Sequence, residues 1–190
     1  MTEHNLTRCE WANKNDLYIK YHDEEWAKPE YDSINLFEML CLGGQQAGLS
    51  WITILKKRDN YRKLFCNFNP YKIAKFTNND VKKLLNDTSI LRNKNKIEAI
   101  INNAKCFIAM ENRKENFSEF IWSFVNHKCV INNWHNINEI PTESEASRAL
   151  AKALKKRGFK FVGSTICYSF MQTCGLINDH IVDCFCRHNI

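Results

Sequence analysis

Apolar residues recur at intervals of three and four along most of this chain. Ile97, Ile100, Ile101, Ala104, Phe107 and Ile108 form one such stripe, the spacing of an α-helix with a single buried face. Leu36, Phe37, Leu40 and Cys41 repeat it behind Asp32 and Ser33, either of which can cap a helix start. Asn79 and Asp80 precede Val81, Leu84 and Leu85 in a shorter helix, and Phe117, Phe120, Ile121, Phe124 and Val125 give a further stripe. Thr142 and Glu145, directly after Pro141, fit a capping box that opens a helix running to about Arg157 and stopping at Gly158. No period-two alternation is long enough to demand a strand. There is no repeat and no low-complexity linker, and residues 128–141 read as loop. The pattern predicts an all-α fold in a single domain, residues 1–190.

Composition narrows this picture. The chain has 190 residues but only 6 Gly and 3 Pro, too few turn formers for a collagen-like chain or a many-hairpin barrel. Hydrophobic residues at 44% and charged ones at 25% describe a folded globule. Residues 1–9 lack the apolar run of a signal peptide, and no stretch approaches the ~18 apolar residues of a membrane span. A cytoplasmic location is expected. Nine cysteines, an odd number without a secretion signal, argue against a disulfide framework and leave a few thiols for metal or reaction. The net charge of +6 is compatible with a polyanionic partner.

Three constellations carry candidate chemistry. The segment Leu154-Lys-Lys-Arg-Gly-Phe-Lys-Phe-Val-Gly-Ser-Thr-Ile-Cys-Tyr168 reads as a hairpin between two helices. Free N–H groups around Gly163, Ser164 and Thr165 would face an anion, with Lys155, Lys156, Arg157 and Lys160 beside them. A plain helical corner with a solvated basic face would carry the same residues. Next, His180 and Cys184 stand four apart, on one face if residues 176–184 are helical. Cys9 and His22 would complete a tetrahedral set if the fold brings the ends together, with Cys186 and His188 as competitors. A closed set of four ligands is structural, because catalytic zinc keeps an open position. Last, Trp11, Tyr18, Tyr21, Trp26 and Trp51 concentrate aromatic faces that suit either core packing or a stacked base. The run Gly43-Gly-Gln-Gln-Ala-Gly-Leu-Ser-Trp51 interrupts one helix, starts another at Ser50, and presents Leu49 as a wedge.

Four sequence motifs, in order, carry a resemblance that spans essentially the whole chain. Tyr18-Ile-Lys-Tyr-His-Asp-Glu-Glu-Trp26, Gln45-Gln-Ala-Gly-Leu-Ser-Trp51, Ala153-Leu-Lys-Lys-Arg-Gly-Phe-Lys-Phe-Val-Gly163 and Gly175-Leu-Ile-Asn-Asp-His180 resemble the bacterial 3-methyladenine DNA glycosylase I family. The resemblance implies a helix-hairpin-helix DNA glycosylase fold, with a zinc site joining the N- and C-terminal ends. It also implies monofunctional excision of 3-methyladenine from double-stranded alkylated DNA, with the free base as product. Carried over residue by residue, Cys9, His22, His180 and Cys184 would bind one structural zinc. Tyr18, Tyr21 and Trp51 would line the base pocket with Trp11 nearby. Gly48 and Leu49 would enter the DNA, and Lys160, Gly163, Ser164 and Thr165 belong to the phosphate-binding hairpin.

One position departs from the family. Its pattern is Cys-Leu-Glu-Gly-Gln-Gln, whereas this chain reads Cys41-Leu-Gly43-Gly44-Gln45-Gln46, so Gly43 stands where the family has the pocket carboxylate. Glu38 lies outside the matched position, and no catalytic residue is assigned. Methylation at N3 makes adenine a cationic leaving group that needs little protonation. Aromatic faces would favour that cation by about 0.5–2 kcal/mol. A charge-assisted hydrogen bond from a carboxylate would add about 1.5–3 kcal/mol. Its loss predicts an enzyme slower by roughly one to two powers of ten, not a dead one. The alternatives are a zinc-stabilised damaged-DNA-binding protein without glycosylase activity, and a glycosylase with altered base preference. A thiol-redox protein ranks below both, since Cys184-Phe-Cys186 is not the C-x-x-C of such proteins. Without a sustained heptad, a monomer is expected.

Overall fold

The structure, a computed structural model, describes residues 6–188. Residues 1–5, part of the stretch read for a signal peptide, lie outside the described residues, as do the last two. Ten α-helices account for about half of the described residues: α1 (Asp16–Glu24), α2 (Ser33–Gln46), α3 (Trp51–Leu55), α4 (Arg58–Leu64), α5 (Pro70–Ile73), α6 (Asn78–Asn86), α7 (Lys94–Asn112), α8 (Phe117–Trp122), α9 (Glu145–Lys156) and α10 (Ser164–Thr173). The helical periodicity is therefore borne out. No helix among the described residues is long and apolar enough to cross a membrane.

Capping explains most helix starts. Asp32 accepts hydrogen bonds from the amides of Ile34 and Asn35 at 2.8 and 2.9 Å and opens α2. Thr77, one turn ahead of Asp80, caps α6 through a reciprocal box, so Asn79 and Asp80 lie inside that helix. The expected box of Thr142 and Glu145 does not form. Ser144 caps α9 instead, paired with Ser147, and the helix begins at Glu145. A serine pair one step along the chain satisfies the same orphan amides, which sequence spacing alone does not rank. Residues 128–141 are also more than a loop. Val130–Ile131 pairs in parallel with Ile177–Asn178, and Ile137–Glu139 forms a 3-10 turn.

α2 is the central helix. Its Leu36, Phe37, Leu40, Cys41 and Leu42 are buried in a core built with α7, α8 and α10. A second, smaller cluster holds Cys9, Tyr21, Trp26, Leu55, Cys184 and Cys186, and Trp51 packs against both. Both ends of the described chain meet at this second cluster, where the Phe185 amide donates to the Thr7 carbonyl at 3.0 Å. The return path from α10 depends on Gly175. Its φ is +70°, and a Cβ there would sit 2.4 Å from the backbone of Lys28 and Pro29.

Candidate functional site

Helix α1 serves two sites at once. Asn15 caps it by accepting the Tyr18 amide at 3.0 Å, and the spacing of three and four places Tyr18, Tyr21 and His22 on adjoining parts of one face. Tyr18 and Tyr21 face an open cavity, while His22 turns into a cluster behind it.

That cluster is Cys9, His22, His180 and Cys184, all buried, with their ligand atoms within 4.8 Å of one another. Residues 176–184 are not helical, contrary to the spacing argument. A short strand and a turn bring His180 and Cys184 together instead. Cys9 Sγ lies 3.6 Å from His180 Nδ1, and Cys184 Sγ lies 3.3 Å from His180 Nδ1 and 3.5 Å from His22 Nε2. Ligand bonds of about 2.3 Å to sulfur and 2.05 Å to nitrogen, at a tetrahedral angle, put those atoms roughly 3.6 Å apart. The four side chains therefore fit one small cation. Hydrogen bonds from the Cys186 and Cys9 thiols, then from His180 and His22, hold the Cys184 thiol far below its ordinary pKa and push Cys9 and Cys186 up. Behind the cluster, His22 Nδ1 bonds Asp23 at 2.7 Å, and Asp23 is gripped by Arg8 at 2.8–3.0 Å. This carboxylate fixes the His22 ring with Nε2 facing inward. His188 is not among the clustered ligands, and Cys186 joins only a second grouping with His22 and Asp23.

The cavity on the other side encloses about 450 Å³ and is lined by all five aromatic residues singled out from sequence, Trp11, Tyr18, Tyr21, Trp26 and Trp51. Trp11 and Trp26 are the partition. Trp11 packs edge-on to His22 at 5.3 Å, and Trp26 packs edge-on to His180 at 4.6 Å between ring centroids. Tyr21 and Trp51 touch each other, 5.7 Å apart and tilted by 47°, so a planar ligand fits against this pair and not between its rings. The Tyr18 hydroxyl accepts the Ile52 amide at 2.9 Å and so holds the start of α3, which carries Trp51. Tyr21 donates to Thr173 at 3.1 Å, and burial raises its pKa well above the ordinary tyrosine value. Among the described residues, none that lines the cavity is Asp, Glu, Lys, Arg or His. The Trp51 indole N–H is buried without a hydrogen-bond partner among the described residues.

Gly43 lies buried in α2, one turn before the cavity-lining Gln46, and α2 does not break there. A Cβ at position 43 would meet only Ile166 Cγ2, at an ordinary 3.6 Å. The break comes at Ala47 and Gly48, leaving Leu49 43% exposed at the rim. The hairpin between α9 and α10 sits beside this turn, since Gly44 packs tightly on Phe161, where a Cβ would come within 3.1 Å. Gly163 precedes α10 without a side-chain cap and with open space around it. Lys155, Lys156 and Lys160 are exposed there. Three expected hairpin residues differ in placement. Arg157 bonds Glu115 and lies over Phe120, Thr165 lines the cavity, and Ser164 donates to the Glu143 carboxylate.

Sequence reasoning missed Asp179. Fully buried, it accepts four bonds: from Asn132 (2.7 Å) and Trp134 (2.8 Å) on one oxygen, and from Tyr168 (2.6 Å) and Gln172 (2.8 Å) on the other. Tyr168 and Gln172 belong to the cavity wall, and His180 is the next residue. Asn103 was also missed. It bonds both the amide and the carbonyl of Lys160, at 2.8 and 3.1 Å, and pins the hairpin.

Residues 11–188 match the sequence profile described as methyladenine glycosylase. The chain is 58% identical over 181 residues to DNA-3-methyladenine glycosylase 1 of Escherichia coli K12, covering 95% of this chain and 97% of that protein. A crystal structure of a 3-methyladenine DNA glycosylase I superposes with a TM-score of 0.93 at 59% identity, over 95% of this chain and 99% of that one. A tyrosine-to-phenylalanine variant of 3-methyladenine DNA glycosylase I, solved with 3-methyladenine, superposes with a TM-score of 0.91 at 37% identity, over 95% and 97% of the two chains.

Proposed function

The chain belongs to the methyladenine glycosylase family, and on that premise we propose how its residues carry out base-excision repair of 3-methyladenine in alkylated DNA. The reaction hydrolyses the N-glycosidic bond and releases the free base. The observation that carries this reading is the neutral, aromatic-walled cavity beside an exposed turn and a lysine-bearing hairpin. A flipped nucleotide would enter past Leu49, with Gly48 shaping the turn. Lys160 and the open backbone at Gly163 and Ser164 would hold the phosphates, Ser164 exchanging Glu143 for the DNA. Thr165 then serves the cavity wall.

Inside, Trp11, Tyr18, Tyr21 and Trp51 would hold the methylated base. Their π faces favour a cationic base over neutral adenine, a preference that supplies selectivity without a charged residue. The cationic base leaves readily, and water attacks the sugar as it gains oxocarbenium character, a step that needs no strong base. Zinc is the ion best suited to two cysteines and two histidines in a closed tetrahedron. Cys9, His22, His180 and Cys184 would hold it, and it would tie the two ends together and brace Trp11 and Trp26. With no carboxylate lining the cavity, excision would be slower than in relatives that have one. The chain would act as a one-domain monomer on cytoplasmic DNA.

Single-turnover assays on methylated duplex DNA, with the released base identified by chromatography, test this reading. Free 3-methyladenine above the protein-free control is expected. Salt-dependent binding without any released base would instead make the chain a damaged-DNA-binding protein. Release of a different alkylated base would shift the assigned substrate.

A further inference from the structure

The exposed turn before Leu49 has a defined geometry. The Leu49 amide donates to the Gln46 carbonyl at 2.7 Å, Ala47 has φ −43° and ψ 118°, and Gly48 has φ +76°. These are the angles of a type II turn, which requires a left-handed residue at its third position. What separates type II from the commoner type I is the central peptide, whose carbonyl points to the opposite side. In this turn that carbonyl belongs to Ala47.

Lys96, on the first turn of α7 and 8% exposed, reaches it. Its Nζ donates to Ala47 O and to Gln45 O, both at 2.8 Å. The clamp is reciprocal, because Gln45 Nε2 donates to the Lys96 carbonyl at 2.9 Å and Gln45 Oε1 accepts the Tyr61 hydroxyl at 3.2 Å. Asn93 caps α7 by accepting the Lys96 amide at 3.1 Å. A buried ammonium thus bonds the one carbonyl whose direction defines the turn, and it sits at the C-terminal, electronegative end of α2.

We propose that Lys96 is a positioning residue for excision: it selects the type II turn that presents Leu49 to duplex DNA. The proposal rests on the reading of Leu49 as the residue that enters the DNA. Lys96 would touch neither the base nor the sugar. Its effect should fall on opening the duplex and spare substrates that need no opening.

The test compares excision of 3-methyladenine from duplex and single-stranded methylated DNA, normalised to folded protein, in Lys96→Met, Leu49→Ala and the unaltered chain. In Lys96→Met and Leu49→Ala alike, the duplex-to-single-strand ratio is expected to fall about tenfold, while affinity for free 3-methyladenine stays within about twofold. If Lys96→Met does not fold, Lys96→Gln, which keeps a shorter polar head, is measured in its place with the same fall expected. An unchanged ratio at position 96 beside a lowered ratio in Leu49→Ala overturns the proposal and leaves the wedge standing. Parallel loss on both substrates and of free-base affinity at position 96 reduces Lys96 to a structural role and also overturns it. An unchanged ratio in Leu49→Ala removes the wedge reading itself, and the proposal with it.

Discussion

Two sites lie back to back across Trp11 and Trp26, and they are built on opposite principles. On one side Cys9, His22, His180 and Cys184 are buried and mutually oriented, with Asp23 and Arg8 fixing His22 from behind. On the other side the cavity is open and uncharged, and it keeps one buried indole N–H unpaired. A closed cluster of donor atoms is expensive to form unless a cation completes it, so its geometry reveals its ligand class. An aromatic cavity costs little to leave empty and states its preference only through shape and π faces. On the proposed reading, the closed site would tie the chain's ends together and the open one would select the base.

The largest break of this contrast comes from the closed side. If the cluster holds an ion as proposed, Cys9→Ala or treatment with a chelator should destabilise the fold by at least roughly 4 kcal/mol. The melting temperature should then fall by roughly 10 °C or more. Because Trp11 and Trp26 form the partition, free-base affinity should fall in the same titration. Loss of stability with full retention of base binding would show that the two sides are independent. Next comes Asp179→Asn, which leaves two of four donors facing an amide. A loss of about 2–4 kcal/mol is expected by thermal unfolding, with the strap at Asn132 and Trp134 released together with the cavity wall at Tyr168. The smallest effect belongs to the open side alone. Trp51→Phe removes the unpaired N–H and keeps a π face, so stability should change by less than about 1 kcal/mol. Weaker base binding in that variant would identify the indole N–H as a donor to the ligand.

How far these features were legible in the sequence depended on the range of the contacts behind them. Helical stripes rest on neighbours three and four apart and formed as expected, and of the two candidate caps for α2 Asp32 is the one used, through amides two and three residues ahead. The cap of α9 moved to Ser144 because two local solutions competed. The four clustered ligands were candidates by residue type, with Cys186 and His188 as competitors, and were singled out through resemblance; the supposed helix over residues 176–184 proved to be a short strand, Ile177–Asn178, paired with Val130–Ile131, followed by a turn. Asp179 stood inside a quoted motif, but its role was not legible, since its four donors come from residues 132, 134, 168 and 172 and meet only in the folded chain. Lys96 was hidden for the same reason, 49 positions from the carbonyl it holds. Gly43 lies inside α2 and not in the interruption that its glycine-rich run suggested, because α2 continues to Gln46.

The central claim is that this chain excises 3-methyladenine through a cavity without a carboxylate. Its most direct test is the single-turnover rate of base release by Gly43→Glu against the unaltered chain, with Gly43→Ala as control. Position 43 has room at Cβ, and replacing a helical glycine by alanine should itself add about 1 kcal/mol of stability. The expected result is measurable release by the unaltered chain, no gain in Gly43→Ala, and a gain of about 10- to 100-fold in Gly43→Glu. A Gly43→Glu protein that folds and is no faster would contradict the account of the missing carboxylate.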